Sequence, residues 1–107
     1  LGQLPDSYES IEINAESFEE LFAIIKYRQS DPKEGSYTNK LLGEGISRIG
    51  QKVIEEAGET ALSAVAKDDE ASITNEIADL LFHTMVLMAA SDISPKAVWE
   101  ELYNRKK

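Results

Sequence analysis

Two runs of about twenty residues, near 47–67 and 70–90, keep the period of an α-helix and are separated only by Lys67-Asp68-Asp69. In the first, Ile46, Ile49, Val53, Thr60 and Ala64 form one stripe. In the second, Ile73, Ile77, Leu80, Thr84, Leu87 and Met88 do the same. So short a connection forces neighbouring helices to pack antiparallel, with the two stripes facing each other. Whatever else the chain does, it is built on this hairpin.

The remainder is helical too. Phe18, Leu21, Phe22 and Ile25 fall at i, i+3, i+4 and i+7 in a helix from about Ala15 to Ser30, and Ser17 and Glu20 have capping-box spacing. The turn formers of 30–36 predict a loop. A short helix over Thr38–Leu42 is then expected to break at Gly43-Glu44-Gly45, glycine being a poor helix interior residue. Ser94-Pro95 reads as N-cap and first helical position. Val98, Trp99 and Leu102 follow, and the basic end Arg105-Lys106-Lys107 suits the helix dipole. There is no alternating run, hairpin turn, glycine-rich phosphate loop or repeat. The expected fold is all-α, a bundle of four to five helices over residues 15–107, with 1–14 as a tail or linker.

Charged residues normally occupy the face of an amphipathic helix opposite its core. Here they crowd the edge of the core stripe. With Glu56 at zero and about 100° per residue, Glu59 lies near about −60°, Glu55 near about −100°, and the stripe between roughly +20° and +80°. Glu76 and Asp79 stand in the same relation to the stripe of the second run. Across an antiparallel pair, Glu56 and Glu59 would look over a cleft at Glu76 and Asp79. Four carboxylates so gathered need protonation or a cation. With only oxygen ligands on offer, that cation is Mg²⁺ or Mn²⁺ rather than zinc. The alternative is that these acids are solvated surface charge. An EF-hand is excluded, since no loop has its Asp-rich pattern.

Composition narrows the partners. Twenty acidic against eleven basic residues give a net charge of −9, which repels nucleic acid backbones. A polyanionic small molecule would need cationic charge concentrated at one place, and a bound divalent ion supplies it. With no cysteine there is no disulfide or thiolate site, which fits a reducing compartment. No run is long and apolar enough to span a membrane, and no signal peptide opens the chain. The expected location is the cytoplasm. The start at Leu1 rather than Met reads as a domain cut from a longer polypeptide, or as trimming.

Glu55-Glu56-Ala57-Gly58-Glu59 followed by Glu76-Ile77-Ala78-Asp79 resembles the Glu-x-x-Glu … Glu-x-x-Asp signature of all-α nucleotide pyrophosphatases, a superfamily that includes the MazG-type and dimeric dUTPase enzymes. The segment from Asp31-Pro32 through Ser36-Tyr37-Thr38-Asn39-Lys40-Leu41-Leu42 resembles one branch, the phosphoribosyl-ATP pyrophosphatases. So do Arg48-Ile49-Gly50-Gln51-Lys52-Val53 and Ala78-Asp79-Leu80-Leu81-Phe82-His83, with Phe82 where tyrosine is expected. The resemblance covers about residues 18–104. It implies Mg²⁺-dependent hydrolysis of phosphoribosyl-ATP to phosphoribosyl-AMP and pyrophosphate, the second step of histidine biosynthesis. It also implies a homodimer with active sites near the subunit interface, and fusion to or cooperation with phosphoribosyl-AMP cyclohydrolase. A sister enzyme acting on dUTP or damaged nucleotides is the rival within the superfamily; an acidic helical interaction module is the rival outside it.

With that resemblance, Glu56, Glu59, Glu76 and Asp79 are the expected metal ligands, and Glu55, Glu56 and Glu59 the catalytic acids, Glu55 as a further ligand or as a base for water. Ser36, Tyr37, Lys40, Arg48 and Lys52 are the expected substrate contacts. Lys52 also has the spacing of an ordinary pair with a carboxylate four residues on. His83, between Glu76 and Asp79 on the wheel, is either a partner to a ligand carboxylate or a structural histidine. Trp99 and Tyr103 are read as core or dimer contacts rather than base-stacking groups.

Overall fold

A computed structural model describes residues 16–106, so the expected tail over 1–14 and the start of the first helix at Ala15 lie outside the described residues. Five helices follow one another: α1 (Glu16–Ser30), α2 (Tyr37–Glu44), α3 (Ile46–Val65), α4 (Glu70–Ala90) and α5 (Pro95–Asn104). There is no strand among the described residues, and the chain is all-α. The dominant packing is α3 on α4, as the short connection requires.

Each boundary has a local cause. Asp69 caps α4 by accepting from Ser72 N, and Ser94 caps α5 by accepting from Ala97 N with Pro95 in the first turn. α3 ends at Val65, two residues short of the predicted Lys67. Lys67 takes φ +59°, and Asp68 turns back to Ser63 through Asp68 N→Ser63 O (3.1 Å) and Ser63 Oγ→Asp68 Oδ2 (2.9 Å). α2 runs longer than Thr38–Leu42 and passes through Gly43. The break comes at Gly45 alone, whose φ of +95° is open to glycine. α1 is already helical at Glu16, so Ser17 lies inside the helix rather than at its cap.

The core gathers Ile25 of α1, Leu41 of α2, Ile49 of α3 and Met85, Val86 and Ala89 of α4, with Phe18, Leu21, Phe22, Leu42, Phe82 and Leu87 packed against it. α5 is fastened to α1 by an edge-to-face contact of Phe18 with Trp99 (5.2 Å) and by Trp99 Nε1 donating to Glu19 Oε1 (2.8 Å). Three residues expected in core stripes are exposed: Ile46, Ala64 and Ile77. Periodicity marks the face of a helix, not how much of it a neighbouring helix covers. A second apolar band is bare on the far side of α3, where Ile54 is 75 %, Leu62 70 % and Val65 80 % exposed. No single helix among the described residues is long and apolar enough to cross a membrane.

Candidate active site

The hairpin brings three of the four expected ligands to one point. Glu56 from α3 and Glu76 and Asp79 from α4 each offer a carboxylate oxygen, and these oxygens lie within 4.8 Å of one another. Glu56 is buried and the other two are half-buried. Thr60, one turn beyond Glu56, fixes the helices at this level. Its hydroxyl lies 2.7 Å from the Glu56 carbonyl oxygen and 3.1 Å from that of Glu76.

The electrostatics are those of an anion cage. Glu56 Oε2 and Glu76 Oε2 are both buried with no hydrogen-bond partner. An ionised oxygen in that position is costly unless a cation compensates it. The Glu76 carboxyl is pushed above the usual carboxylate range, by burial first, then by the charge of Glu59 and a hydrogen bond with its carboxyl, then by the charges of Glu56 and Asp79. Glu59 is exposed and stands outside the trio, near enough to Glu76 to contribute to that rise. Oxygen donors from two helices, two of them unpaired, fit a hard divalent cation of the Mg²⁺ kind.

Cationic side chains border the cage on α3. Lys52 Nζ lies 3.7 Å from Glu56 Oε1 and 3.9 Å from Glu55 Oε2, and Arg48 Nη1 lies 3.6 Å from Glu55 Oε1. Glu55 is exposed, outside the trio, and held between the two bases. Arg48 also approaches Glu44 (3.7 Å) and donates to Gln51 (3.0 Å).

The loop before α2 forms an open recess of about 640 Å³ lined by Lys33, Gly35, Ser36, Tyr37, Asn39 and Lys40. The Ser36 hydroxyl caps α2 through Asn39 N. Asn39, which the sequence reading passed over, pins the loop. Its side chain accepts from Lys33 N (2.8 Å) and donates to Arg28 O (2.7 Å), tying the loop to the end of α1. Asn39 lies inside the predicted helix Thr38–Leu42 and the observed α2, so no local pattern signalled this role.

His83 is buried and joins recess to cage. Its Nδ1 lies 2.7 Å from the main-chain oxygen of Asp79, and its Nε2 3.0 Å from Tyr37 Oη. The histidine thus meets Asp79 at the carbonyl and not at the carboxylate. Trp99 and Tyr103 lie on α5: Trp99 packs on Phe18, and Tyr103 is exposed beneath Lys106.

A helical hairpin holding a carboxylate cluster, flanked by bases and a polar loop, defines the class: an all-α protein with its acidic side chains gathered between two helices. The chain belongs to the phosphoribosyl-ATP pyrophosphohydrolase family, whose model matches residues 18–106. It is 45 % identical over 94 residues to the phosphoribosyl-ATP pyrophosphatase of Azospirillum brasilense, covering 88 % of this chain and 84 % of the relative. With the enzyme of that name from Sulfurisphaera tokodaii it shares 46 % identity over 87 residues, 81 % of this chain and 92 % of the relative. A histidine biosynthesis bifunctional protein from Prochlorococcus marinus is 46 % identical over 81 % of this chain, which spans 39 % of that longer polypeptide.

Proposed function

We infer that this chain hydrolyses phosphoribosyl-ATP to phosphoribosyl-AMP and pyrophosphate, the second step of histidine biosynthesis, and does so with Mg²⁺, or Mn²⁺, held by Glu56, Glu59, Glu76 and Asp79. Family membership supports the reaction. The observation that carries the metal is the pair of buried, unpartnered oxygens on Glu56 and Glu76. The products require the bond between the α- and β-phosphates to break, with water supplying the new oxygen. A bound divalent ion would shield phosphate charge and make water a better nucleophile.

The chain's own groups do the positioning. Glu56, Glu76 and Asp79 present their oxygens from two helices locked by Thr60. Lys52 and Arg48 would meet phosphate oxygens, and Glu55, paired with both, would act as the base for the attacking water. Ser36, Tyr37 and Lys40 hold the remainder of the substrate from the recess. The bare band of Ile54, Leu62 and Val65 supports a homodimer, since burying it against a second copy completes the bundle. Phosphoribosyl-AMP cyclohydrolase is the expected partner for the product, and the bifunctional relative accords with this.

The test is pyrophosphate release from phosphoribosyl-ATP with and without Mg²⁺, beside ATP and dUTP. Metal-dependent release from phosphoribosyl-ATP, abolished by Glu56→Gln or Asp79→Asn, is expected. Release from dUTP or ATP instead would move the chain's activity to a sister substrate. No release from a folded, metal-loaded sample would leave an interaction module.

A further inference from the structure

Asp79's main-chain oxygen can only accept a hydrogen bond, so the contact at 2.7 Å places a proton on His83 Nδ1. In the neutral ring Nε2 then carries a lone pair, and the hydrogen bond at one nitrogen decides the role of the other. Tyr37 Oη, 3.0 Å away, must donate its only proton to it. The arrangement is held by packing. The His83 ring stands edge-on to Phe82 (5.2 Å) and to Tyr37 (5.9 Å), and Tyr37 stacks on Phe82 (6.1 Å, 26°). Yet Tyr37 is 47 % exposed and lines the recess beside Ser36 and Lys40.

Tyr37 therefore lines the recess with its phenol proton already committed to His83 and only lone pairs left on that oxygen. Phosphate oxygens are acceptors themselves and do not match it. An O–H or N–H donor does. We propose that Tyr37 is a specificity-determining residue that accepts a hydrogen bond from a hydroxyl or amino group in the sugar–base part of the substrate, and that His83 is the positioning residue that keeps the phenol in the accepting orientation. The proposal rests on the phosphoribosyl-ATP reading above and deepens it. It assigns the recess to the substrate's sugar–base part and leaves the phosphates to Lys52, Arg48 and the carboxylate cage.

The experiment compares wild type, Tyr37→Phe, His83→Phe and the double variant, measuring KM and kcat for phosphoribosyl-ATP and inhibition by phosphoribosyl-AMP and by pyrophosphate. Tyr37→Phe is expected to raise KM and weaken phosphoribosyl-AMP inhibition about fivefold, the worth of one neutral hydrogen bond. The loss falls on KM rather than kcat, and pyrophosphate inhibition is retained. His83→Phe keeps an aromatic ring against the stacked Phe82–Tyr37 pair and is expected to cause the same loss. The double variant then loses no more than either single one, because the two groups act as one unit. If His83→Phe does not fold, Tyr37→Phe decides alone. An unchanged KM, or pyrophosphate inhibition weakened by the same factor, overturns the inference while wild-type turnover stands. A wild type that does not turn over phosphoribosyl-ATP overturns the parent reading, and this one with it. To separate the donors, AMP and its 2′-deoxy and 3′-deoxy analogues serve as inhibitors. A deoxy analogue that no longer distinguishes wild type from Tyr37→Phe identifies the ribose hydroxyl. Discrimination kept with both analogues identifies the base N–H.

Discussion

The Thr60 hydroxyl lies 3.1 Å from the main-chain oxygen of Glu76, so the helix that carries Glu56 is bonded to the helix that carries Glu76 and Asp79 at the level of their carboxylates. The same hydroxyl reaches back 2.7 Å to the Glu56 carbonyl. Thr60→Val keeps the shape and removes the shared proton. We expect it to cost about 1 kcal/mol in urea unfolding and to raise the Mg²⁺ concentration needed for half-maximal activity. Unchanged Mg²⁺ dependence would mean that the cage does not rely on this link.

Glu76→Gln separates the cost of the cage from its use. It removes one of the crowded negative charges, so the metal-free protein should melt higher than wild type near neutral pH. The same change should abolish stabilisation by added Mg²⁺, which acts by mass action on the folded state. Melting curves with EDTA and with Mg²⁺ read both effects. A variant that still gains stability from Mg²⁺ would place the ion elsewhere.

The same residue predicts the pH response. The Glu76 carboxyl is raised, so the folded chain holds that proton more tightly than the unfolded chain. Metal-free stability from this group is therefore fully present below the ordinary glutamate pKa, and is lost as pH rises through the raised value. Asp69 has the opposite sign. Its pKa is lowered by the bond from Ser72 N, so its contribution is present above the ordinary aspartate pKa and is lost as pH falls through the lowered one. Metal-free melting followed across the acid range should fall more steeply with rising pH in wild type than in Glu76→Gln. Parallel curves would sink the assignment.

Val65→Lys tests the bare face of α3. Val65 is 80 % exposed and Leu62, on the same side, 70 %. In the proposed dimer the substitution buries a charge, and sedimentation should shift from two chains to one. A wild type that already sediments as a single chain removes the dimer.

Ser94→Ala removes the cap that accepts from Ala97 N at 3.2 Å. The expected cost is about 1 kcal/mol, seen as a melting temperature several degrees lower.

Much of the fold was legible because its causes are local. Asp69 and Ser94 begin their helices where a capping oxygen precedes an apolar period, and α4 spans the predicted Glu70–Ala90. Where reading failed, the deciding contact was distant or the signal was outweighed. Gly43 is a breaker by propensity, yet stays helical between Leu42, packed on the core, and Gly45, which takes the turn. Ile77 fits the helical stripe, yet it is exposed, because burial depends on what another element brings against it and periodicity does not encode that.

For the candidate site the division is similar. By itself the sequence determined that Glu56, Glu59, Glu76 and Asp79 flank two core stripes on consecutive helices, because helical periodicity and a short turn are properties of neighbouring residues. Only the tertiary structure decided which acids lose their water. Glu56 and Glu76 each have an oxygen sealed without a partner, while Glu55 and Glu59 remain exposed. It also joined Tyr37 to His83 across 46 positions of chain. Desolvation and long-range hydrogen bonds depend on what packs against a group from another element, and no local pattern encodes that.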